Sequence, residues 1–187
     1  MNLKGIQLKY LALGLIISGS ALAAEGKISL TGGYFGISAK TNEETSNISN
    51  PSAFRAAYQY PFLEKFEAVA GYSVLLADFS GTDMGYGLDL GANYYPFTSS
   101  GDVVAHDPNF DVRRHEEYSP FVGLGFYQRQ FQSVKNSYAG LGVTAGVEKY
   151  YSKKINLKAE ARYISLGGSG ESSATEINVL CGIVYKL

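Results

Sequence analysis

The segment TEINVLCGIVYKL, residues 175–187, alternates between two kinds of side chain from Ile177 onwards. Every second residue is apolar, and the residues between them form a mixed and partly charged set. Alternation with a period of two is typical of a β-strand with one apolar and one polar face. The apolar series is Ile177, Val179, Cys181, Ile183, Tyr185 and Leu187. This pattern predicts a sheet whose two sides face unlike environments.

The N-terminus has the features of an export signal. Two lysines precede an apolar run over residues 10–17, and the ALA triplet at 21–23 matches a cleavage site. The alternative, a transmembrane helix, is disfavoured because a helix needs about 20 apolar residues to cross a bilayer. We therefore predict a signal peptide over residues 1–23 and one domain over residues 24–187.

The composition favours strands over helices. The chain of 187 residues has 22 Gly, 15 Tyr and 10 Phe but no Trp, and aromatic residues prefer strands whereas glycine is a poor helix former. The 16 Lys and Arg against 17 Asp and Glu provide no basic excess for nucleic acid. A single cysteine, Cys181, excludes an internal disulfide and a multi-cysteine metal site, and its place in the alternation predicts simple packing.

The alternation recurs along the chain and, with the C-terminal segment, defines eight predicted strands. The other seven are residues 27–38, 52–62, 66–77, 85–97, 118–131, 138–151 and 155–166. Tight turns at 63–65 and 152–154 alternate with longer polar connections at 40–50, 78–84 and 167–174, as in an up-and-down barrel. The long connection 98–117 falls on the side of the tight turns. We expect it to be a periplasmic excursion or a strand extension.

Strand length and aromatic placement indicate that the apolar face meets lipid. Predicted strands of about ten to fourteen residues can cross a bilayer when tilted and exceed the usual length in soluble sheets. Aromatic residues on the apolar face lie towards strand ends, as in interfacial girdles: Phe54, Tyr58, Tyr60, Phe66, Tyr94, Tyr118, Tyr163 and Tyr185. We predict an all-β, eight-stranded antiparallel up-and-down transmembrane β-barrel. The alternative is a soluble sandwich or lipocalin-like barrel.

In such a barrel the polar faces of the strands line the interior. The predicted interior charges, five acids and five bases, are Arg55, Glu67, Asp89, Arg129, Glu148, Lys158, Glu160, Arg162, Glu176 and Lys186. An eight-stranded barrel is only wide enough for side chains to fill it, and buried charges are tolerated when they are paired. The pattern therefore predicts a plugged, salt-bridged interior. A narrow polar conduit is the alternative.

The chain resembles the OmpA-like and opacity-type small outer-membrane barrels, including the outer membrane protein beta-barrel domain family. The resemblance rests on the signal peptide and on GLDLGANYYPF, YSPFVGLGFYQRQF, KAEARYISL and the C-terminal segment. It implies the outer membrane of a Gram-negative bacterium. It also implies that the last strand is recognised by the barrel-assembly machinery, although Leu187 stands where the family usually has Phe. The residues of that strand signal are Ile177, Val179, Ile183, Tyr185 and Leu187.

No catalytic or cofactor motif is evident. The two histidines, His106 and His115, lie in the long connection and not on a strand face. A resemblance to lipid-A deacylases would require a His-x-Ser triplet on a strand. A resemblance to omptin proteases would require acidic pairs with a histidine at the outer rim. The sequence has neither pattern. The stretch HDPNFDVRRHEE at 106–117 contains metal-type ligands, but such acidic loops are usually solvated. We predict no enzyme activity, no metal and no cofactor.

The expected function is structural or interactive. The predicted partners are outer-membrane lipid, the assembly machinery and an extracellular ligand at the outer loops 40–50 and 167–174. A porin-like channel for ions or small solutes is the second hypothesis, and an enzyme is the third. A fold of this kind does not by itself specify function.

Overall fold

The computed structural model describes residues 26–41, 44–76, 84–98, 103–107, 110–114, 117–131, 137–168 and 172–187. The predicted signal peptide lies outside them. Ten strands occur in these ranges: β1 Lys27–Thr41, β2 Glu44–Leu63, β3 Phe66–Leu76, β4 Met84–Tyr94, β5 Val103–Asp107, β6 Phe110–Arg114, β7 Tyr118–Phe131, β8 Ser137–Tyr150, β9 Ile155–Gly167 and β10 Ser173–Lys186. No helix in the described parts is long and apolar enough to cross a membrane.

Eight of the strands form a closed antiparallel barrel in the order β1-β10-β9-β8-β7-β4-β3-β2. The barrel closes where β1 pairs with β10, from Lys27 opposite Lys186 to Lys40 opposite Ser173. Closure gives each strand two hydrogen-bonded neighbours, so the sheet has no free edge along this seam. The predicted fold class is confirmed.

The prediction that residues 40–50 form a loop between two strands is wrong. β1 continues to Thr41 and β2 begins at Glu44, with Lys40 opposite Thr45 in one long hairpin. The segment KTNEETSNISN is polar on both faces, so it has no apolar alternation to reveal a strand. Its strand character comes from the pairing with β1, which continues the ladder beyond the predicted ends.

The long connection 98–117 contains a separate hairpin. β5 and β6 form a two-stranded sheet outside the barrel, with His106 opposite Asp111. The metal-type ligands of the stretch 106–117 include Asp107, Asp111, His115 and Glu116. Of these, His115 and Glu116 lie outside the described residues, and the side chains of Asp107 and Asp111 are not described. The connection is thus partly a β-hairpin, which agrees with an excursion rather than an extension of β4.

The outer surface of the barrel is apolar around its circumference. Large hydrophobic side chains that are exposed on the outward face include Ile28, Leu30, Leu90, Val122, Leu124, Leu141, Val143, Leu157, Ile177, Val179 and Ile183. They are the residues that alternate with buried polar ones along each strand. A soluble barrel would not expose such a continuous apolar surface, so this face is suited to lipid.

Aromatic side chains flank this apolar surface. Of the predicted girdle residues, Tyr58 and Tyr60 are half-buried and the other six are exposed. At the end with the tight turns, Phe66 lies 4.9 Å from Tyr94 and 6.2 Å from Phe62, measured between ring centres. Aromatic rings at this level mark the boundary between the hydrocarbon and the headgroups.

We expect Leu124→Arg, in the middle of β7, to destabilise the barrel in lipid by about 2–4 kcal/mol, because it places a charge near the bilayer midplane. Tyr151→Arg is the matched control. Tyr151 is 70% exposed and Leu124 is 71% exposed, but Tyr151 follows the end of β8 and should cost about 0–1 kcal/mol. Urea unfolding in phospholipid vesicles measures both. Equal, small effects would indicate that this face is in water.

Candidate functional site: the charged interior

Nine of the ten predicted interior charges are buried in the lumen of the barrel. They are Arg55, Glu67, Asp89, Arg129, Glu148, Lys158, Glu160, Arg162 and Glu176. The tenth, Lys186, is half-buried at the end of β10, with its ammonium group 5.6 Å from the centre of the Tyr150 ring. Lys186 is in phase with the buried Val184 but lies at the rim, and its place in the lumen network stays a prediction.

Asp89 on β4 is the centre of the network. Its Oδ2 accepts hydrogen bonds from Arg55 Nε at 2.9 Å, from Arg162 Nη1 at 3.0 Å and from Ser73 Oγ at 2.7 Å. Its Oδ1 accepts from Arg129 Nη1 at 2.7 Å. Asp89 therefore connects guanidinium groups from β2, β7 and β9 across the lumen. Charge-assisted hydrogen bonds of this kind are the strong ones in protein interiors.

Arg129 also holds Glu176 on β10. Arg129 Nε donates to Glu176 Oε2 at 2.8 Å, and Nη2 donates to Oε1 at 3.0 Å. This two-pronged geometry matches a guanidinium to a carboxylate. Asn178 adds a hydrogen bond to Glu176 Oε1 at 2.6 Å. The Arg129 side chain is fully buried, so its charge depends on these two carboxylates.

Glu160 on β9 continues the network towards the end of the barrel that has the tight turns. It pairs with Arg162 and, at 3.5 Å, with Arg55 Nη1. Lys158 lies between two acids, with Nζ 3.4 Å from Glu160 Oε2 and 3.8 Å from Glu148 Oε1. Lys158 therefore links the Asp89 group to a second group of charges near the tight turns.

The second group is built around Lys27, which sequence reasoning missed. Its ammonium group pairs with Glu67, and with Glu148 Oε2 at 3.5 Å. Gln59 Nε2 donates to Glu67 at 2.9 Å, and Asn156 Nδ2 donates to Glu148 at 3.3 Å. Lys27 shares a strand face with Ser29 and Thr31, opposite Ile28 and Leu30. That phase was visible in the sequence and could have placed Lys27 inside.

Tyr95, also missed, closes the lumen at this end. It follows β4, is 1% exposed and lies with its ring centre 5.6 Å from that of Phe121. Its hydroxyl lies 3.1 Å from Glu148 Oε1 and 3.2 Å from Glu67 Oε1 and donates to them. Burial, with these two carboxylates, raises the pKa of Tyr95 well above its usual value, so the hydroxyl remains a donor. Tyr95 lies within the predicted strand 85–97 and continues its inward series after Asp89 and Asn93, so the alternation could have placed it inside.

The opposite end of the lumen is apolar. We call this group of buried side chains the apolar cap: Phe35, Ile37, Ala53, Leu75, Tyr127, Tyr138, Ile164, Leu166, Ala174 and Leu180. Several of them, such as Leu75, Tyr138 and Leu166, lie near the strand ends that are remote from the tight turns. The predicted interior was polar. The structure adds an apolar layer, which meets the charged network where the Arg129 guanidinium lies 5.5 Å from the centre of the Tyr127 ring.

A small cavity remains beside the Asp89 group. It has a volume of about 20 Å³, and its lining includes Arg55, Asp89, Tyr127, Thr144 and Arg162. A space of this size accommodates about one water molecule. The polar lining suits a bound water, and the size is far below the few hundred Å³ of a typical small-molecule site.

The five residues predicted to form the assembly signal lie on one face of β10. Their side chains are exposed on the outward, apolar side: Ile177, Val179, Ile183, Tyr185 and Leu187. The backbone N–H of Leu187 donates to the carbonyl of Gly26 at 3.0 Å, which completes the seam with β1. Recognition of this strand by an assembly machinery stays a prediction.

Comparison of the sequence with models of known protein families found no match, and comparison with curated proteins found none. Solved structures share the fold. The Neisserial surface protein A, NspA, is 14% identical, covers 87% of this chain and 97% of its own, and has a TM-score of 0.60. The outer membrane protease OmpT of Escherichia coli is 8% identical, with coverages of 88% and 97% and a TM-score of 0.52.

The outer membrane protein OprG of Pseudomonas aeruginosa is 12% identical, with coverages of 88% and 97% and a TM-score of 0.49. The fold is that of a small outer-membrane β-barrel. The predicted resemblance and the predicted location in the outer membrane of a Gram-negative bacterium are confirmed at the level of the fold. The matched proteins differ in their roles, so the likeness does not extend to activity.

We expect Arg129→Met to destabilise the barrel by about 3–5 kcal/mol, since it leaves Glu176 buried without its counter-charge. Arg129→Met combined with Glu176→Met should recover most of this loss, because an apolar pair of similar volume replaces a buried ion pair at little cost. Denaturant unfolding of both variants in the same detergent measures the difference. A double variant as unstable as the single one would show that the pair is not the source of the loss.

We expect Tyr95→Phe to lower stability by about 1.5–3 kcal/mol, because the hydroxyl is hydrogen-bonded to charged carboxylates. Tyr94→Phe is the control: Tyr94 is the neighbouring residue but faces outward, and its replacement should change stability little. The same unfolding measurement tests both. Equal effects of the two substitutions would contradict the role of Tyr95 inside the lumen.

Proposed function

We propose that this chain is a non-enzymatic outer-membrane barrel with a closed, salt-bridged interior. Its role is structural, or lies in contacts made by its outer rim. The observation that carries the proposal is the pairing of the lumen charges. Each of the five buried bases, Lys27, Arg55, Arg129, Lys158 and Arg162, lies within 4 Å of at least one of five buried acids.

Pairing supports a closed interior for an electrostatic reason. An ion that entered the lumen would need charges or dipoles that are free to replace its hydration shell. Here the acids and bases neutralise each other, and the three arginines donate hydrogen bonds to Asp89, Glu160 and Glu176. Separating such pairs inside a low-dielectric interior costs several kcal/mol per ion.

Both ends of the lumen support the same conclusion. The apolar cap fills the end remote from the tight turns and would disfavour entry of water and ions. Tyr95, packed on Phe121, fills the other end. The small cavity between them has room for about one water, which is too little for a continuous water column.

A narrow channel is the second candidate. The observation that favours it is the continuity of the polar groups, since Lys158 lies within 3.8 Å of acids in both charge groups. Rotamer changes in long Arg and Lys side chains could open a path along this series. The apolar cap is the obstacle, because a permanent conduit would need polar side chains there as well.

An enzyme is the less favoured reading. OmpT is a protease on a related barrel, but at 8% identity its activity does not transfer. Of the two histidines, His106 lies on β5, which is not part of the barrel sheet, and His115 lies outside the described residues. The described residues contain no group of three or more metal-type ligands. The cavity beside Asp89 has room for about one water, which is too small for a substrate.

The outer rim is therefore where we place any specific binding. The rim contains the end of the β1–β2 hairpin, which includes the predicted ligand region 40–50, and the β9–β10 connection, within the predicted region 167–174. Both regions are polar in sequence, which suits hydrophilic extracellular ligands. The remaining proposed partners are membrane lipid around the outward face and the assembly machinery acting on β10.

Planar-bilayer conductance of the purified, refolded protein tests the proposal. We expect no discrete openings, because the paired charges and the apolar cap exclude ions. A difference in gel mobility between unheated and boiled samples confirms folding in the same preparation. Stable unitary openings would overturn the closed interior, and a change in their ion selectivity on Arg129→Gln or Glu148→Gln would assign them to this lumen.

A further inference from the structure

At the rim of the tight-turn end, three lysines make cation–π contacts with tyrosine rings. Lys149 Nζ lies 5.2 Å from the centre of the Tyr118 ring, and Lys154 Nζ lies 5.7 Å from that of Tyr185. Lys186 makes the same contact with Tyr150. We call these six residues, with the exposed Lys153, the lysine–tyrosine arc. Its members come from the neighbouring strands β7, β8 and β10 and from the β8–β9 turn.

The arc is a continuous surface. Tyr118 and Lys149 are cross-strand partners of β7 and β8. The backbone N–H of Lys186 donates to the Lys154 carbonyl at 2.8 Å, and Lys154 Nζ donates to Tyr185 Oη at 3.4 Å. These contacts connect the β8–β9 turn to β10, and β8 to β7, along the rim.

The charge of the arc is strongly one-sided. It has four lysines. The opposing charge in the described part of this rim segment is Glu117. The neighbouring β2–β3 turn is balanced, with Glu64 next to Lys65. The positive excess is therefore a feature of the β7–β10 side and not of the whole rim.

The arc also lies at the level of the membrane surface. Tyrosines prefer the boundary between hydrocarbon and headgroups, and lysines beside them extend their ammonium groups towards the headgroups. Tight turns lie on the periplasmic side of such barrels. An ammonium group on an aromatic face is partly desolvated and keeps donors for an anion.

We propose that the lysine–tyrosine arc is a binding site for anionic phospholipids of the periplasmic leaflet. The lysines contact the headgroup phosphate, and the tyrosine rings pack on the glycerol and upper acyl region. Charge complementarity selects a net-negative lipid over a zwitterionic one. The site rests on the membrane position of the barrel and is independent of whether the lumen conducts.

Native mass spectrometry of the purified folded protein tests this site. The protein, in a neutral detergent, is titrated with phosphatidylglycerol and, separately, with phosphatidylcholine of the same acyl chains. We expect a preference of about fivefold or more for phosphatidylglycerol at low salt, because a single lysine near an anionic headgroup favours binding by a factor of about five. The preference should fall at higher salt.

The test variant combines Lys149→Gln, Lys153→Gln, Lys154→Gln and Lys186→Gln, and should bind the two lipids about equally. The control combines Lys40→Gln, at the opposite end of β1, with Lys65→Gln, in the β2–β3 turn, and should keep the preference. The heat-dependent gel shift verifies folding of both.

Three results would overturn the site: no preference in the unchanged protein, an unchanged preference in the four-lysine variant, or equal loss in the control. The last measurement is a titration of the unchanged protein with inorganic phosphate. Binding of phosphate at the arc without any preference between the lipids would assign the surface to free anions and contradict the lipid site.

Discussion

The requirement that backbone N–H and C=O groups be hydrogen-bonded in hydrocarbon governs this structure. An open sheet would leave two rows of these groups unsatisfied in the membrane, each at a cost of several kcal/mol. Pairing of β1 with β10 removes both rows at once. The two terminal strands of the barrel must therefore meet, and the seam from Lys27 to Lys186 is the contact on which the remaining arrangement depends.

Closure reverses the usual relation between burial and polarity. Side chains that face outward meet lipid and are apolar, whereas those that face inward are removed from both water and lipid. A narrow lumen with ten charges is stable only when the charges satisfy one another. This explains why Asp89 is shared by Arg55, Arg129 and Arg162 and why residues from distant parts of the chain form one network.

The two rims have different physical characters. At the tight-turn end, tyrosines and lysines form an interfacial surface, and Tyr95 turns inward to the lumen charges. At the other end, the lumen is apolar and the polar β1–β2 hairpin extends beyond the strands of its neighbours. The proposed closed interior would leave these rims and the lipid-facing surface as the places of contact with other molecules.

Much of the site could be predicted because successive side chains of a strand point to opposite faces, so that counting by two assigns each residue to a face. Once Ile28 and Leu30 are taken as outward, every second residue is inward, and nine buried charges follow from that rule. Counting was not carried to the strand ends: Lys27 and Tyr95 continue the inward series of their strands and are buried, but neither was placed in the lumen. Residues 40–50 were taken as a loop because both faces of that segment are polar.

The sequence by itself determined the class of fold, the number of barrel strands and which face of each strand meets lipid, because these depend on a local period of two. Only the tertiary structure decided which charges pair, where the apolar cap lies and how the connection 98–117 is built. Those features depend on the relative register of strands that are far apart in the chain. For example, Arg55 and Glu160 are separated by 105 residues, and no local pattern encodes that they meet.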